Sequence, residues 1–545
     1  MTEYNEVQVN IEWVGPEPEV VDEVSQALSE HPSVQEQLSE TRQRLLSIEL
    51  LNPVGAGRVD GLEPDRYRTT TYDYTNNRAI LTTGSLNDIQ GSMEVSESGH
   101  QPLPTREEFE EAVEILHEDP DLGPALSEQR VEPQPAMPPL LTEPTRPDGR
   151  IERTLAVLLL SRSDEVRNEV VGVNMIGRTV SRFPDGAPSA ALAADAACGV
   201  PNANQAPTPY GLPGQYRVTI TQGGTTLWSF LVFRPSYSLG TNGSGVTLRE
   251  VDYRGKRVLY RAHAPILNVQ YDGNACGPFR DWLFAESYIQ ATGTDVAPGI
   301  RWCTTPPRTI LDPPETDTGN FRGVAIYRDE QKQEVVVVSE LEAGWYRYIS
   351  EWRLHDDGTI LPRFGFSAVS NSCTCNTHYH HVYWRFDFDI NAVWPDVLNN
   401  VVWEYNSPPI TSSNWHINYW EVMRPRDPSR SRRWWIENST TGDAYMLIPG
   451  PNDGVPHSAA SFGRGDVWIL RQYDGEIDDG ISAAPSQAGQ RQWNAPAEIG
   501  RFIDPESTYN QDIVVWYAAH FTHDVHEEAG GIDHIIGPTL QPAQW

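Results

Sequence analysis

The chain has 545 residues, enough to bury a large core and to form two or three domains. Its 41 Lys and Arg against 75 Asp and Glu leave a formal charge of −34, which argues against nucleic acid and against anionic membrane as partners. No apolar run approaches a membrane span, and residues 1–22 are acidic and Pro-containing with no signal-peptide h-region, so a cytoplasmic protein is expected.

Two of the basic residues are lysines, Lys256 and Lys332, which leaves 41 − 2 = 39 arginines; an acidic, lysine-poor chain fits a salt-adapted organism. The five cysteines, Cys198, Cys276, Cys303, Cys373 and Cys375, are odd in number and irregularly spaced, so no disulfide framework is expected.

In chain order, a short strand is predicted from Glu6 to Trp13, then a helix from Glu19 to Gln43 with Val20, Val24, Leu28 and Leu38 on one stripe. Strands follow at Arg44–Leu51, Asp65–Tyr74, Arg78–Thr83 and Ser92–Ser96, with Thr75-Asn76-Asn77 as a hairpin turn. Thr105 as N-cap with Glu108 three residues on opens a second helix. Residues 1–132 thus read as a small α+β domain. Pro133 to Pro147 reads as a Pro-rich linker within 133–150, and 151–225 as a strand-containing connecting region with a long Ala/Pro-rich excursion from Asp185 to Tyr210. Residues 226–545 are short strands and turns rich in Trp, Tyr, Val and Pro, so the fold class is mainly β with a large C-terminal β-sandwich.

Chemistry concentrates at Thr377-His378-Tyr379-His380-His381-Val382-Tyr383-Trp384-Arg385-Phe386-Asp387-Phe388-Asp389. A strand sends every second side chain to one face, which pairs His378 with His380 and Asp387 with Asp389. Two imidazoles on a rigid strand suit Cu or Zn, and paired carboxylates suit a hard ion such as Ca²⁺. A cupin would place a carboxylate a few residues after His-x-His, and His381-Val382-Tyr383-Trp384 offers none. Cys373-Thr374-Cys375 just before the strand reads as two buried or free thiols, with a soft ligand as the alternative.

The order His378-x-His380 then Arg385-x-Asp387-x-Asp389 resembles the copper-binding strand of the copper amine oxidases. Gly344-Trp345-Tyr346-Arg347-Tyr348 through Trp352, followed by Asp357-Gly358-Thr359-Ile360, resembles the strand pair bearing the tyrosine that these enzymes convert to topaquinone. Asn510 to Trp516, then His523 and Glu528, resembles the segment with the third copper histidine, and the first small domain resembles one of the family's cystatin-like N-terminal domains. The resemblance implies copper on His378, His380 and His523, with His523 preferred over His520, His526 and His534 by its place seven residues after Trp516. It implies topaquinone from Tyr346 and a calcium-type site built from Asp387, Asp389, Asp512 and the carbonyls of Phe388 and Ile513. The implied reaction takes a small-molecule primary amine, O₂ and water to an aldehyde, ammonia and H₂O₂, in a homodimer.

The pattern also departs from the family. Trp345 and Arg347 stand where it has Asn and an acidic residue; Arg347 is expected to face solvent, or else to hold Tyr346 as a phenolate. Counting from Tyr271, matched to the gate tyrosine, puts Ala285 at the catalytic aspartate, with Glu286 adjacent and Asp281 nearby as substitutes. The short interval from Tyr346 to His378 implies loss of a long β-hairpin arm. The alternatives are a catalytically degenerate copper-binding or structural protein of this fold, and a quinone-free copper oxidase acting on another oxidisable substrate.

Overall fold

The computed structural model describes the chain apart from residues 1–6, 16, 18, 52–63, 99–100, 103, 142–150, 162–168, 183–213, 238–243, 272–278, 282, 314–315, 370–373, 394–396, 457–462, 474–475, 477–498 and 524–534. The excursion expected at 185–210, Cys198, Cys276, Cys373, His526, Glu528 and His534 lie outside the described residues.

The N-terminal region differs from expectation in three ways, each traceable to proline or to register. The helical stripe is two helices, Glu19–Glu30 and Pro32–Leu38, because Pro32 cannot supply the N–H that a continuous helix needs. The strand Val7–Trp13 leaves the small domain and pairs antiparallel with Gln215–Gln222 at the edge of a large sheet. Residues 133–141 are not a linker: Val131–Leu141 is a strand paired with Thr154–Ser161, and its prolines are tolerated because it is the edge of its sheet.

The outcome is two successive units of one plan. The first carries the two helices above and the four-stranded sheet Gln43–Leu51, Arg66–Asp73, Arg78–Ser85 and Glu94–Ser98. The second carries helices Arg106–Glu118 and Gly123–Ser127 and the four-stranded sheet Val131–Leu141, Thr154–Ser161, Glu169–Asn174 and Thr179–Arg182. Thr105 and Glu108 form the capping box, and buried Glu108 also pairs with buried Arg153, which immediately precedes the strand Thr154–Ser161.

The large β-sandwich is made by a ten-stranded and a twelve-stranded sheet. Lys256–Tyr271, His378–Phe388 and Ile513–His523 lie side by side in the first. Glu334–Ala343, Tyr346–His355 and Ile360–Ala368 lie side by side in the second. One core joins them, with Val382, Phe386 and Tyr517 from the first meeting Val336, Tyr348 and Phe364 from the second. Strands Tyr346–His355 and Ile360–Ala368 are joined by residues 356–359, and 369–377 lead into the His378 strand, so no long hairpin arm intervenes. No described helix is long and apolar enough to cross a membrane.

Candidate metal centre

Antiparallel register sets one row of side chains across three strands. Tyr271 is opposite His378, and His378 is opposite His523, so residues 252 positions apart in sequence (523 − 271) become lateral neighbours. Tyr271 stacks on His378 at 4.9 Å between ring centres, and His378 meets His523 at 4.7 Å. His378 donates from Nδ1 to the carbonyl of Asn376 at 2.6 Å, which leaves the Nε2 lone pair directed inward, 3.2 Å from His523 Nδ1. All three of His378, His380 and His523 are buried. Burial, and then the neighbouring His523, hold His378 well below the usual imidazole range, so it is the neutral form a metal needs.

Tyr346 comes from the opposite sheet. Its hydroxyl meets His378 Nε2 in a short contact and His523 Nδ1 at 3.3 Å. His380 sets its ring against Tyr346, with centres 4.5 Å apart and planes near perpendicular, and lies 5.1 Å from His378. Tyr348, two residues on and therefore on the same strand face, stacks on Tyr346 at 5.2 Å and 8°. Desolvation pushes the Tyr346 phenol well above its usual range, so Arg347 does not hold it as a phenolate.

Arg347 does not face solvent. It is fully buried on the other side of the strand, pairing with Asp317 at 3.1 and 3.0 Å and with Glu342 at 3.4 Å. It also donates to the carbonyls of Gly344 and Tyr346 at 3.0 and 2.9 Å, which clamps the backbone that carries the phenol. Trp345 donates from Nε1 to the Tyr271 hydroxyl at 2.9 Å and so fixes that ring against His378.

The structure also separates the two candidate carboxylates. Glu286 is bound by Arg234 at 2.9 Å and by the Ser236 hydroxyl at 3.0 Å, an ion pair that commits it to a network without Tyr346. The catalytic role expected of Glu286 thus falls on a carboxylate held by Arg234 and Ser236. Asp281 instead accepts a short hydrogen bond from Tyr348, while its Oδ1 is buried with no hydrogen-bond partner among the described residues. Burial holds the Asp281 carboxyl well above the usual carboxylate range. Strand alternation could have flagged Tyr348 from sequence; nothing local ties Asp281 to a tyrosine 67 residues away.

At the far end of the His378 strand, Asp387, Asp389 and Asp512 are buried with one ligand oxygen each mutually within 4.8 Å. Phe388 is opposite Ile513 in the ladder, and the Phe388 carbonyl accepts from Asn400 Nδ2 at 2.9 Å. Cys375, expected as a thiol, is disulfide-bonded; an odd total of cysteines does not preclude a single bridge. Cys303 is free and buried.

Comparison with known proteins bears on this geometry. Residues 362–530 match the family model for the copper amine oxidase enzyme domain. Among solved structures, the chain is similar to a copper-containing benzylamine oxidase from Hansenula polymorpha, with a TM-score of 0.59, 12% identity, and 95% and 96% of the two chains covered. It is similar to Pichia pastoris lysyl oxidase (0.60, 12%, 99% and 90%) and to an Aspergillus nidulans amine oxidase (0.56, 13%, 99% and 89%). No curated protein sequence matches the chain.

Proposed function

We propose that this chain, whose residues 362–530 match the copper amine oxidase enzyme domain and whose fold is similar to that of solved amine oxidases, is a copper-dependent oxidase of primary amines, with His378, His380 and His523 as the metal ligands. The observation that carries this reading is the meeting of His378 Nε2, His523 Nδ1 and the Tyr346 hydroxyl at one buried point. Two nitrogens each about 2.0 Å from a shared ion, at angles between square and tetrahedral, lie about 2.8–3.3 Å apart; the 3.2 Å separation fits. Imidazole donors suit copper, and the carbonyl anchor on His378 is the support such ligands receive; His380 stands beside the converging pair, its ring centre 5.1 Å from that of His378, without a nitrogen within 4.8 Å of both.

Copper would supply one-electron chemistry with O₂, and a quinone formed from Tyr346 would supply a carbonyl on which a primary amine can condense. The protein's own contribution is positional and protonic. The Arg347 clamp and the Tyr348 ring fix Tyr346, and the Trp345–Tyr271 hydrogen bond keeps the neighbouring phenol turned towards His378. Asp281 takes the role of proton acceptor from the substrate carbon: its Oδ1, unpartnered among the described residues, is buried beside the tyrosine pair, and a carboxyl raised by burial is a stronger base once ionised. At the second site, Asp387, Asp389 and Asp512 supply the oxygen donors and negative charge that a Ca²⁺-class ion requires.

The decisive experiment is peptide mass spectrometry of the full chain after aerobic copper loading, with O₂ uptake measured on primary amines. Oxidation of Tyr346 to the quinone adds two oxygens and removes two hydrogens, a gain of about 30 Da on its peptide. An unmodified Tyr346 peptide beside bound copper overturns the quinone route and favours a quinone-free copper protein, the reading that Trp345 and Ala285 support.

A further inference from the structure

The last three strands of the twelve-stranded sheet are Arg433–Asn438, Asn400–Tyr405 and, at its edge, Trp415–Ile417. Alternation divides their side chains sharply. Val402, Trp434 and Ile436 point inward and are fully buried. On the opposite face Trp403 sits across from Trp435, Tyr405 across from Trp415, and Glu437 across from Val401. The solvent face of an antiparallel strand group ordinarily carries polar residues, so three tryptophans there are not explained by the core.

Their geometry is that of an open corner rather than a flat platform. The Trp415 and Trp435 rings are 5.6 Å apart at 85°, forming two walls at right angles. Trp403, Trp415, Trp435 and Glu437 line one cavity of about 350 Å³. No hydrogen bond or ion pair engages the Glu437 side chain among the described residues, so a carboxylate stands uncompensated beside the indole faces. One row away on the same face, the Arg433 guanidinium lies 4.5 Å over the Tyr405 ring, so this surface already receives a cation on an aromatic face. Perpendicular π faces closed by one carboxylate match a cation that is apolar at its rim, because the ring quadrupoles attract the charge while methyl groups fill the space between the walls. A sugar would need several donors and acceptors for its hydroxyls, whereas the polar groups of this lining are one carboxylate and the indole N–H groups.

We propose that Trp403, Trp415, Trp435 and Glu437 form a binding site for a quaternary ammonium head group of a free small molecule, the choline class. The site lies on the outer face of the sheet whose inner face carries Tyr346, and a fully methylated nitrogen cannot condense with a carbonyl, so the ligand is bound rather than oxidised.

The test titrates the full-length protein with choline and, in parallel, with its neutral isostere 3,3-dimethylbutan-1-ol, following tryptophan fluorescence and heat. Saturable choline binding below about 10 mM is expected, with the isostere at least tenfold weaker. Trp415→Ala at the exposed edge should abolish binding, and Glu437→Gln should weaken it roughly tenfold, with the copper-loaded Tyr346 peptide unchanged in both. Equal binding of the isostere would make the cavity a plain apolar groove and overturn the proposal, as would the absence of saturation with either ligand. Sedimentation in which Trp415→Ala dissociates a dimer would also overturn it, by assigning this face to a second copy of the chain.

Discussion

Asp281 is a carboxyl group placed where folding alone would not put it. It is buried against Tyr348 with one oxygen unsatisfied among the described residues, and an unpaired buried polar atom costs about 1–3 kcal/mol. A carboxyl whose folded value lies above its unfolded one contributes stability at low pH and loses it as the pH rises from the unfolded value through the folded one. At neutral pH, Asp281→Asn removes that loss while still accepting from Tyr348, so the variant is expected to be more stable than the parent by about 1 kcal/mol and to turn over amine about 100-fold more slowly. Thermal melts and O₂ uptake on one preparation read both quantities, and a variant that is less stable yet fully active would remove Asp281 from the mechanism. His523→Ala separates ligand from neighbour in the same row: copper content per chain should collapse, and the Tyr346 peptide should gain no mass after aerobic loading. Copper retained at full stoichiometry in that variant would move the third ligand elsewhere.

At the scale of the element, the strand Tyr346–His355 works on both faces, with the phenol towards the imidazoles and Arg347 towards a buried acidic group. Desolvation pushes Glu340 and Glu342 up to about 8, so near neutrality both hold their protons and Arg347 is balanced by Asp317. As the pH climbs from the ordinary 4.5 through about 8, each releases in the unfolded chain a proton that the folded chain keeps, and stability falls before levelling above that range. Glu342→Gln should therefore flatten the decline between pH 6 and pH 8.5 in denaturant melts by a few kcal/mol, and an unchanged slope would mean that Glu342 is already ionised. Arg347→Met, which removes the buried guanidinium from Asp317, should cost about 3–5 kcal/mol. Period-two alternation made the His378/His380 pair, the Asp387/Asp389 pair and the β class legible in the sequence, because each is a property of a single strand. Alternation is silent on what covers a strand's second face. For that reason Arg347 looked solvent-exposed and Glu286 looked available, until Asp317 and Arg234, 30 and 52 residues away, claimed them. The prolines of 133–141 misled for a different reason: they end an interior strand but not an edge strand.

Across the whole molecule the same separation holds between charge that is buried and charge that is not. Arg153–Glu108 and Arg347–Asp317 are fully enclosed and out of reach of mobile ions, whereas acids such as Glu110, Glu118, Asp295 and Glu330 stand on the exposed surface of a chain whose net charge is −34. Self-repulsion of that surface acts against the compact state, and its range shrinks from about 10 Å at 0.1 M salt to about 3 Å at 1 M. Added salt should thus relieve the repulsion without weakening the enclosed pairs, and the melting temperature is expected to rise by several degrees between 0.1 and 1 M KCl, to a similar extent in NaCl and CsCl because screening depends on valence and concentration rather than on ion identity. Differential scanning calorimetry across the three chlorides decides the matter. A melting temperature that is flat or falls with salt would mean that the surface acids are compensated by the 39 arginines pair by pair, and that the exposed ion pairs, not the net charge, govern how this fold responds to its solvent.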